Sequence, residues 1–167
     1  MNTCDLLKEN ARLSTSGWPL AILRIGLGLM FLKAGLAKFP GMLNPGALGG
    51  VIQGWVNDMP AGWYPWYRQI TETMVIPNAD IFAYLVVFGE ISVGLAFVSG
   101  FLVRPAALGA MLMNLNFHLA SAYKGGASET INLVFILVSL VLLISAAGRY
   151  FGLDYFLRKK YPQVPLW

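Results

Sequence analysis

The fold of this chain is decided by residues 81–123, IFAYLVVFGEISVGLAFVSGFLVRPAALGAMLMNLNFHLASAY. This stretch is too apolar for a soluble helical hairpin. The break at 101–105, FLVRP, divides it into halves that each supply the roughly 20 apolar residues of a membrane-spanning helix. Glu90 lies near the middle of the first half, and His118 lies in the outer part of the second. Because a polar group at membrane depth is costly, each of them predicts a partner or a function.

The composition of the whole chain also indicates an integral membrane protein. Of its 167 residues 57% are hydrophobic and 12% are charged, and the mean hydropathy is +0.62. Such values are typical of membrane proteins. The net charge of +4 comes from dispersed bases, so it does not predict nucleic-acid binding, and contact of a basic tail with anionic lipid explains it better. The single cysteine, Cys4, excludes an internal disulfide, a Cys-rich metal site and an iron–sulfur cluster.

We predict an all-α fold, an integral membrane four-helix bundle with short interfacial helices between the first and second spans. The first apolar segment is longer than that of a signal peptide and no cleavage pattern follows it, so we expect it to be retained as a span. Residues 40–80, which we name the lid, are rich in Trp and Tyr, as are membrane interfaces. The expected segments are an N-tail at 1–17, a transmembrane domain at 18–147 with spans at about 18–39, 81–102, 105–123 and 130–147, lid helices at about Gly46–Asp58 and Pro65–Val75, and a basic C-tail at 148–167.

The distribution of bases predicts the orientation of the four spans. The side that holds both tails carries more Lys and Arg than the side that holds the lid, and such an excess marks the cytoplasmic side. We therefore expect a bacterial-type plasma (inner) membrane protein with both termini cytoplasmic and the lid outside. The bases on the tail side are Lys8, Arg12, Arg104, Arg149, Arg158, Lys159 and Lys160, against Lys38, Arg68 and Lys124 on the lid side.

Several polar residues converge in the outer half of the predicted spans. At the helical rise, Arg24 lies ~9 Å above the inner end, Glu90 ~18 Å, His118 ~20 Å and Asn132 ~21 Å. Lys38 lies at the outer boundary, and Asn114 shares a helix face with His118. The candidate catalytic residues are therefore Glu90 and His118, the candidate cofactor-binding residues are Arg24, Lys38, Asn114 and Asn132, and no metal site is expected.

A purely structural interpretation of the same residues stays open. Glu90 would then form an ion pair with Arg24 or Lys38 that orients two helices. His118 would form an interhelical hydrogen bond to Asn114, Asn132 or Ser139. The glycines within the spans are expected at positions where helices pack closely, namely Gly28, Gly35, Gly89, Gly94 and Gly100.

Seven short motifs resemble those of the DoxX/DoxD family of small four-helix membrane proteins, and in particular the DoxD-type small subunit of thiosulfate:quinone oxidoreductase. The resemblance covers about residues 18–157, and its aromatic connection is DoxD-like rather than DoxX-like. It implies quinone-linked redox chemistry or membership of a redox complex. The motifs are LRIGLG at 23–28, GLAK at 35–38, GWYPWY at 62–67, GEISVGL at 89–95, GFLVRPAA at 100–107, NLNF at 114–117 and GLD at 152–154.

Three functions remain open on the sequence. The first is a membrane subunit of a quinone-linked oxidoreductase, in which His118 and Glu90 exchange protons while Arg24 or Lys38 stabilises charge on a reduced quinone. The chain carries no flavin, haem or iron–sulfur motif, so electrons would come from a substrate or another redox subunit. The second is a non-catalytic accessory subunit of a respiratory or photosynthetic membrane complex that holds lipid, quinone or pigment. The third is a small transporter with Glu90 and His118 as a proton path.

Overall fold

The structure is a computed structural model that describes residues 17–164 and residue 166. The N-tail predicted over 1–17 lies outside the described residues, apart from Gly17. Within the described part of the chain every regular element is a helix, which confirms the all-α class. The α-helices are α1 Trp18–Lys38, α2 Ala47–Asp58, α3 Pro65–Ile70, α4 Ala79–Ser99, α5 Val103–Ser121, α6 Ala127–Ile144 and α7 Asp154–Lys160.

The long helices α1, α4, α5 and α6 lie antiparallel to the neighbours they contact. The main contacts are α1 with α4, and α5 with α6, while α4 and α5 join these two pairs and α6 also touches α1. One end of this assembly, the lid end, holds the end of α1, the start of α4 and the connection from α5 to α6. The other end, the terminal end, holds the start of α1, the connection from α4 to α5 and the segment that follows α6.

Three helical stretches are long and apolar enough to cross a membrane. They are α1, the continuous helical stretch Pro65–Ser99 that ends in α4, and α6. The remaining long helix, α5, has a suitable length but a lower hydropathy, because it carries Arg104 together with Asn114, Asn116 and His118. These findings agree with an integral membrane protein.

Glycines let α1 and α4 approach closely. A Cβ atom added at Gly94 would lie 2.7 Å from the backbone nitrogen of Leu32, and one at Gly28 would lie 2.9 Å from that of Val98. Such distances leave no room for any side chain at these two positions. Close approach at small residues is how membrane helices gain van der Waals contact without a hydrophobic driving force. The two glycines therefore fix the register between α1 and α4.

The lid packs on the start of α4. Leu48, Ile52 and Val56 on one face of α2 form a buried cluster with Ala79 and Ala83 of α4. A π-helical turn at Thr71–Val75 and a 3₁₀ turn at Ile76–Asn78 link α3 to α4. The continuous helical stretch that contains α4 therefore begins at Pro65, well before the span boundary predicted at residue 81. The lid is thus packed against the start of α4 and joined to it by helical turns rather than by a free loop.

The first turn of α5 is capped by a residue distant in sequence. Leu102 adopts φ 51, and Val103 begins the helix, with Pro105 in its first turn. The buried carboxylate of Asp154 accepts the Leu102 N–H at 2.7 Å and the Val103 N–H at 3.0 Å. These N–H groups have no partner within the helix, and a carboxylate near a helix N-terminus also interacts favourably with the helix dipole. Asp154 therefore ties α7 to the start of α5.

Candidate functional site

An ion pair lies between α1 and α4 near the lid end. The Nζ of Lys38 lies 2.6 Å from Oε2 and 2.7 Å from Oε1 of Glu90. The side chain of Glu90 is 4% exposed and that of Lys38 is 29% exposed. Gly35, one turn before Lys38, makes room for Glu90, because a Cβ there would lie 3.2 Å from the Glu90 Cβ. Of the two partners that the sequence left open for Glu90, the structure selects Lys38.

Arg24 lies at the opposite end of α1 and contacts backbone rather than an acid. Its guanidinium donates to the carbonyl oxygens of Ala147 at 2.9 Å, Tyr150 at 3.2 Å and Phe151 at 3.2 Å. Arg24 is fully buried. Fourteen residues separate it from Lys38, which corresponds to about 21 Å along the helix. The structure therefore does not bring Arg24 together with the Lys38–Glu90 pair.

His118 lies in the last turn of α5, toward the lid end. The residue is half-buried, and its Nδ1 atom is buried without a hydrogen-bond partner among the described residues. A buried ring nitrogen without a partner carries a desolvation cost that a bound water or ligand would remove. His118 therefore offers one unused hydrogen-bonding atom within the helical assembly.

The two candidate amides satisfy themselves within their own helices. Asn114 is buried in α5, and its side-chain amide donates to the Ala110 carbonyl at 2.7 Å. Asn132 is buried in α6 and donates to the Ser128 carbonyl at 3.0 Å. Across the described ranges, no hydrogen bond joins either amide to Glu90 or His118, and Nδ1 of His118 does not form the interhelical bond that the sequence left open.

The lid is attached to α5 on both sides of His118. The indole nitrogen of Trp63 donates to the Leu119 carbonyl at 2.9 Å, and the hydroxyl of Tyr67 donates to the side-chain oxygen of Asn116 at 3.1 Å. Their positions next to His118 were not predicted, although the aromatic motif at 62–67 signalled an amphipathic segment with polar tips. The lid therefore covers the end of α5 that carries the histidine.

An apolar groove of about 480 Å³ runs along the outward face of α4 toward the lid end. Its walls include Tyr84 and Phe88, whose rings stack with centroids 6.1 Å apart, and it continues to Gly89. A Cβ at Gly89 would lie 3.2 Å from the sulfur of Met113 on α5. Since α4 and α5 are antiparallel, counting from this contact places His118 at about the level of Tyr84. The groove and the histidine therefore lie at the same depth.

The lid end thus holds two kinds of chemical group. The Lys38–Glu90 pair combines a donor and an acceptor that can exchange a proton, and His118 carries a ring nitrogen that can take part in a hydrogen bond. Within the described residues no group of three His, Cys, Asp or Glu side chains is placed to hold a metal ion. The lid end therefore combines these polar groups with the apolar groove on α4.

The chain matches a known protein family, although it matches no solved structure. Residues 19–166 match the protein family described as "TQO small subunit DoxD". This range includes every long helix, the lid and α7, so the match extends over the whole helical assembly. It confirms the resemblance drawn from the seven short motifs, and the chain therefore belongs to the DoxD family.

Proposed function

We propose that this chain is a membrane subunit of a thiosulfate:quinone oxidoreductase-like complex, and that it binds quinone at the lid end between α4 and α5. All four long helices then span the membrane as a bundle, with α5 as the polar member. The observation that carries the proposal is the Lys38–Glu90 pair with its buried carboxylate, because ionisable groups at membrane depth mark proton and ion chemistry. The family described as "TQO small subunit DoxD" supports the assignment to such a complex.

Each residue has a distinct part in this function. Quinone is the acceptor that takes up electrons and protons when such a complex works. Nδ1 of His118 supplies a hydrogen bond to a carbonyl oxygen of the ring. Lys38 is partly exposed while Glu90 is buried, so a proton from the lid side reaches the carboxylate through the ammonium group. The groove lined by Tyr84 and Phe88 accepts the apolar tail.

The other candidate residues act at a distance from this place. Asn114 and Asn132 donate to carbonyls of their own helices in the interior, and Arg24 donates to backbone carbonyls at the terminal end. They position the site rather than touch the ring. Electrons reach the site from a partner subunit or directly from the sulfur substrate, since the sequence carries no flavin, haem or iron–sulfur motif.

Quinone binding to purified protein tests the proposal. A short-tailed ubiquinone is titrated into wild type, His118→Ala and the control Ser99→Ala, whose hydroxyl bonds its own helix at the terminal end. We expect His118→Ala to weaken binding roughly 5- to 150-fold, the equivalent of ~1–3 kcal/mol for a buried partner left unsatisfied. Ser99→Ala should bind as wild type does. Saturable binding that is unchanged by His118→Ala would move the site elsewhere.

One observation favours a second function, that of a non-catalytic accessory subunit. Among the described residues, no hydrogen bond links Glu90 with His118, and both amides are satisfied within their helices. Apart from Nδ1 of His118, these side chains find their hydrogen-bond partners within the protein itself and need no ligand. If neither the isolated chain nor the chain with its native partners binds quinone saturably, this function replaces the first.

A further inference from the structure

The outward face of α7 carries aromatic side chains followed by bases. Tyr155 and Phe156, in its first turn, are 42% and 65% exposed. Arg158, Lys159 and Lys160 follow one turn later and are also exposed. Because residues three and four apart share a helix face, the bases stand directly beyond the aromatic rings. Asp154 and Leu157 form the inward face of the same helix.

The contacts of α7 hold it at the level where the long helices end. The N–H of Leu153 donates to the Ser99 carbonyl at 3.2 Å, and the N–H of Asp154 donates to the Gly100 carbonyl at 2.9 Å. Together with the carboxylate of Asp154 on the start of α5, these bonds fix α7 beside the α4–α5 connection. In a membrane this level is the boundary between acyl chains and headgroups.

Positive charge converges around α7 from three separate segments. Arg149 follows α6, Arg104 lies in the first turn of α5, and Arg158 belongs to α7. The pKa of the Arg149 guanidinium is lowered, first by burial and then by the nearby charges of Arg158 and Arg104. Asp154, whose charge also acts on Arg149, offsets part of this positive charge, and the exposed bases of α7 add to it, so that a local positive potential that attracts anions remains.

We propose that the outward face of α7 is a binding surface for anionic phospholipid headgroups. The rings of Tyr155 and Phe156 lie among the upper acyl chains, as aromatic side chains do at membrane interfaces. Arg158, Lys159 and Lys160 meet the phosphate groups just above them. The ligand is anionic because a zwitterionic headgroup would leave the clustered bases without a matching net charge. This surface is separate from the site at the lid end.

The proposal is tested with the full chain in non-ionic detergent. Phosphatidylglycerol or phosphatidylcholine is added in mixed micelles, and the apparent affinity is read from the rise in melting temperature. Wild type should bind phosphatidylglycerol at least tenfold more tightly. The variant Arg158→Gln/Lys159→Gln/Lys160→Gln should lose roughly fivefold in affinity for each base removed, the effect of about 1 kcal/mol per base near an anionic surface. High salt should weaken binding by wild type.

A matched control removes bases elsewhere. Lys33→Gln/Lys124→Gln, at two exposed positions away from α7, should retain the affinity of wild type for phosphatidylglycerol. If the triple variant folds poorly, Lys159→Glu serves instead and should weaken binding more than Lys159→Gln does. Equal affinity for both lipids, or unchanged affinity in the α7 variants, would overturn the proposal. So would equal stabilisation by inorganic phosphate at the same concentration, which would indicate a free-anion site.

Discussion

Lys38 and Glu90 place opposite charges at the contact between α1 and α4, where the carboxylate of Glu90 is buried. A buried charge is tolerated when a partner and hydrogen bonds compensate for lost hydration, and both Glu90 oxygens lie within hydrogen-bonding distance of Lys38. The partly exposed ammonium keeps one side of the pair in contact with its surroundings. The two charges therefore stabilise each other, and we expect removal of one of them to lower the stability of the protein more than removal of both.

Glu90→Leu tests this dependence. It leaves Lys38 without its partner, and breaking a buried pair typically costs ~3–5 kcal/mol. We expect a clear fall in melting temperature in detergent, and partial recovery in Lys38→Leu/Glu90→Leu. The control is Glu72→Leu, because the Arg68–Glu72 pair is largely exposed and such pairs contribute about 0–1 kcal/mol. Identical melting of Glu90→Leu and wild type would show that the pair does not stabilise the fold.

Tyr123 gives a prediction about pH at the lid. Its hydroxyl donates to the Trp55 carbonyl at 3.0 Å, and burial, followed by the charge of Asp58, raises the pKa of Tyr123. Since the folded protein then holds this proton more tightly than the unfolded chain, the stabilisation is complete below the ordinary tyrosine pKa of about 10. It is lost as the pH rises through the raised value.

Melting temperatures of wild type and Tyr123→Phe, compared over a pH series, test this prediction. The variant should be less stable by about 1 kcal/mol near neutral pH, the net worth of one hydrogen bond, and the gap should shrink above about pH 10. Tyr84→Phe, which alters an exposed ring on α4, is the control and should show no such convergence. A gap that stays constant across the series would contradict the assignment.

The sequence could predict which residues are buried and polar but not what each of them meets. The predicted depths of the residues in the membrane allowed Glu90 to pair with either Arg24 or Lys38. The register of α1 against α4 brings Lys38, and not Arg24, to Glu90. The partners of Arg24 are backbone carbonyls, which carry no side-chain signal. They are free to accept because the chain after α6 leaves the helix, with positive φ at Ala146 and Phe151.

At the scale of elements, the contact between α1 and α4 rests on glycines rather than on large side chains. Gly94→Ala would place a Cβ 2.7 Å from the backbone nitrogen of Leu32. A backbone atom within a helix cannot move aside as the end of a flexible side chain could. Gly26, on the same pair of helices, has open space around its Cβ position. An alanine at Gly26 changes only the helix propensity, whereas an alanine at Gly94 also introduces a clash, so a comparison of the two variants isolates the effect of close packing on stability.

We expect Gly94→Ala to lower the melting temperature in detergent and Gly26→Ala to leave it unchanged or raise it. An alanine in a helix interior is favoured over glycine by about 0.5–1 kcal/mol when space allows, so any loss in Gly94→Ala reflects the clash. If both variants melt like wild type, the helices do not approach at Gly94 as closely as described.

Hydropathy predicted the helical class well and the helix ends less well. Apolar length is a strong signal, and the family match and the three candidate spans agree with it. The start of α4 was harder to place, because a π-helical turn and a 3₁₀ turn carry the helical stretch from α3 into α4 without a break. The cap of α5 by Asp154 joins residues 52 apart, which no local pattern reveals.

For the whole molecule, the orientation in the membrane stays a prediction from the distribution of bases. In a Cys4→Ser background, Asn57→Cys on α2 should react with a membrane-impermeant maleimide added outside intact cells. Lys159→Cys on α7 should react only after the membrane is opened, because both tails are expected in the cytoplasm. Both positions are exposed in the structure, so a lack of reaction reports the membrane rather than burial. The reverse pattern would invert the topology.

The three carbonyl bonds of Arg24 also bear on the order in which the protein is made. A ribosome delivers α1 first, whereas Ala147, Tyr150 and Phe151 follow only after α4, α5 and α6 have been made. Until then the guanidinium has none of these acceptors, and an unsatisfied cation resists release into lipid. The first helix is therefore expected to remain beside the insertion machinery until the segment after α6 has been made. A nascent chain that stops before residue 147 would leave the Arg24 guanidinium without these three acceptors, and we expect such a chain to be recognised by quality control.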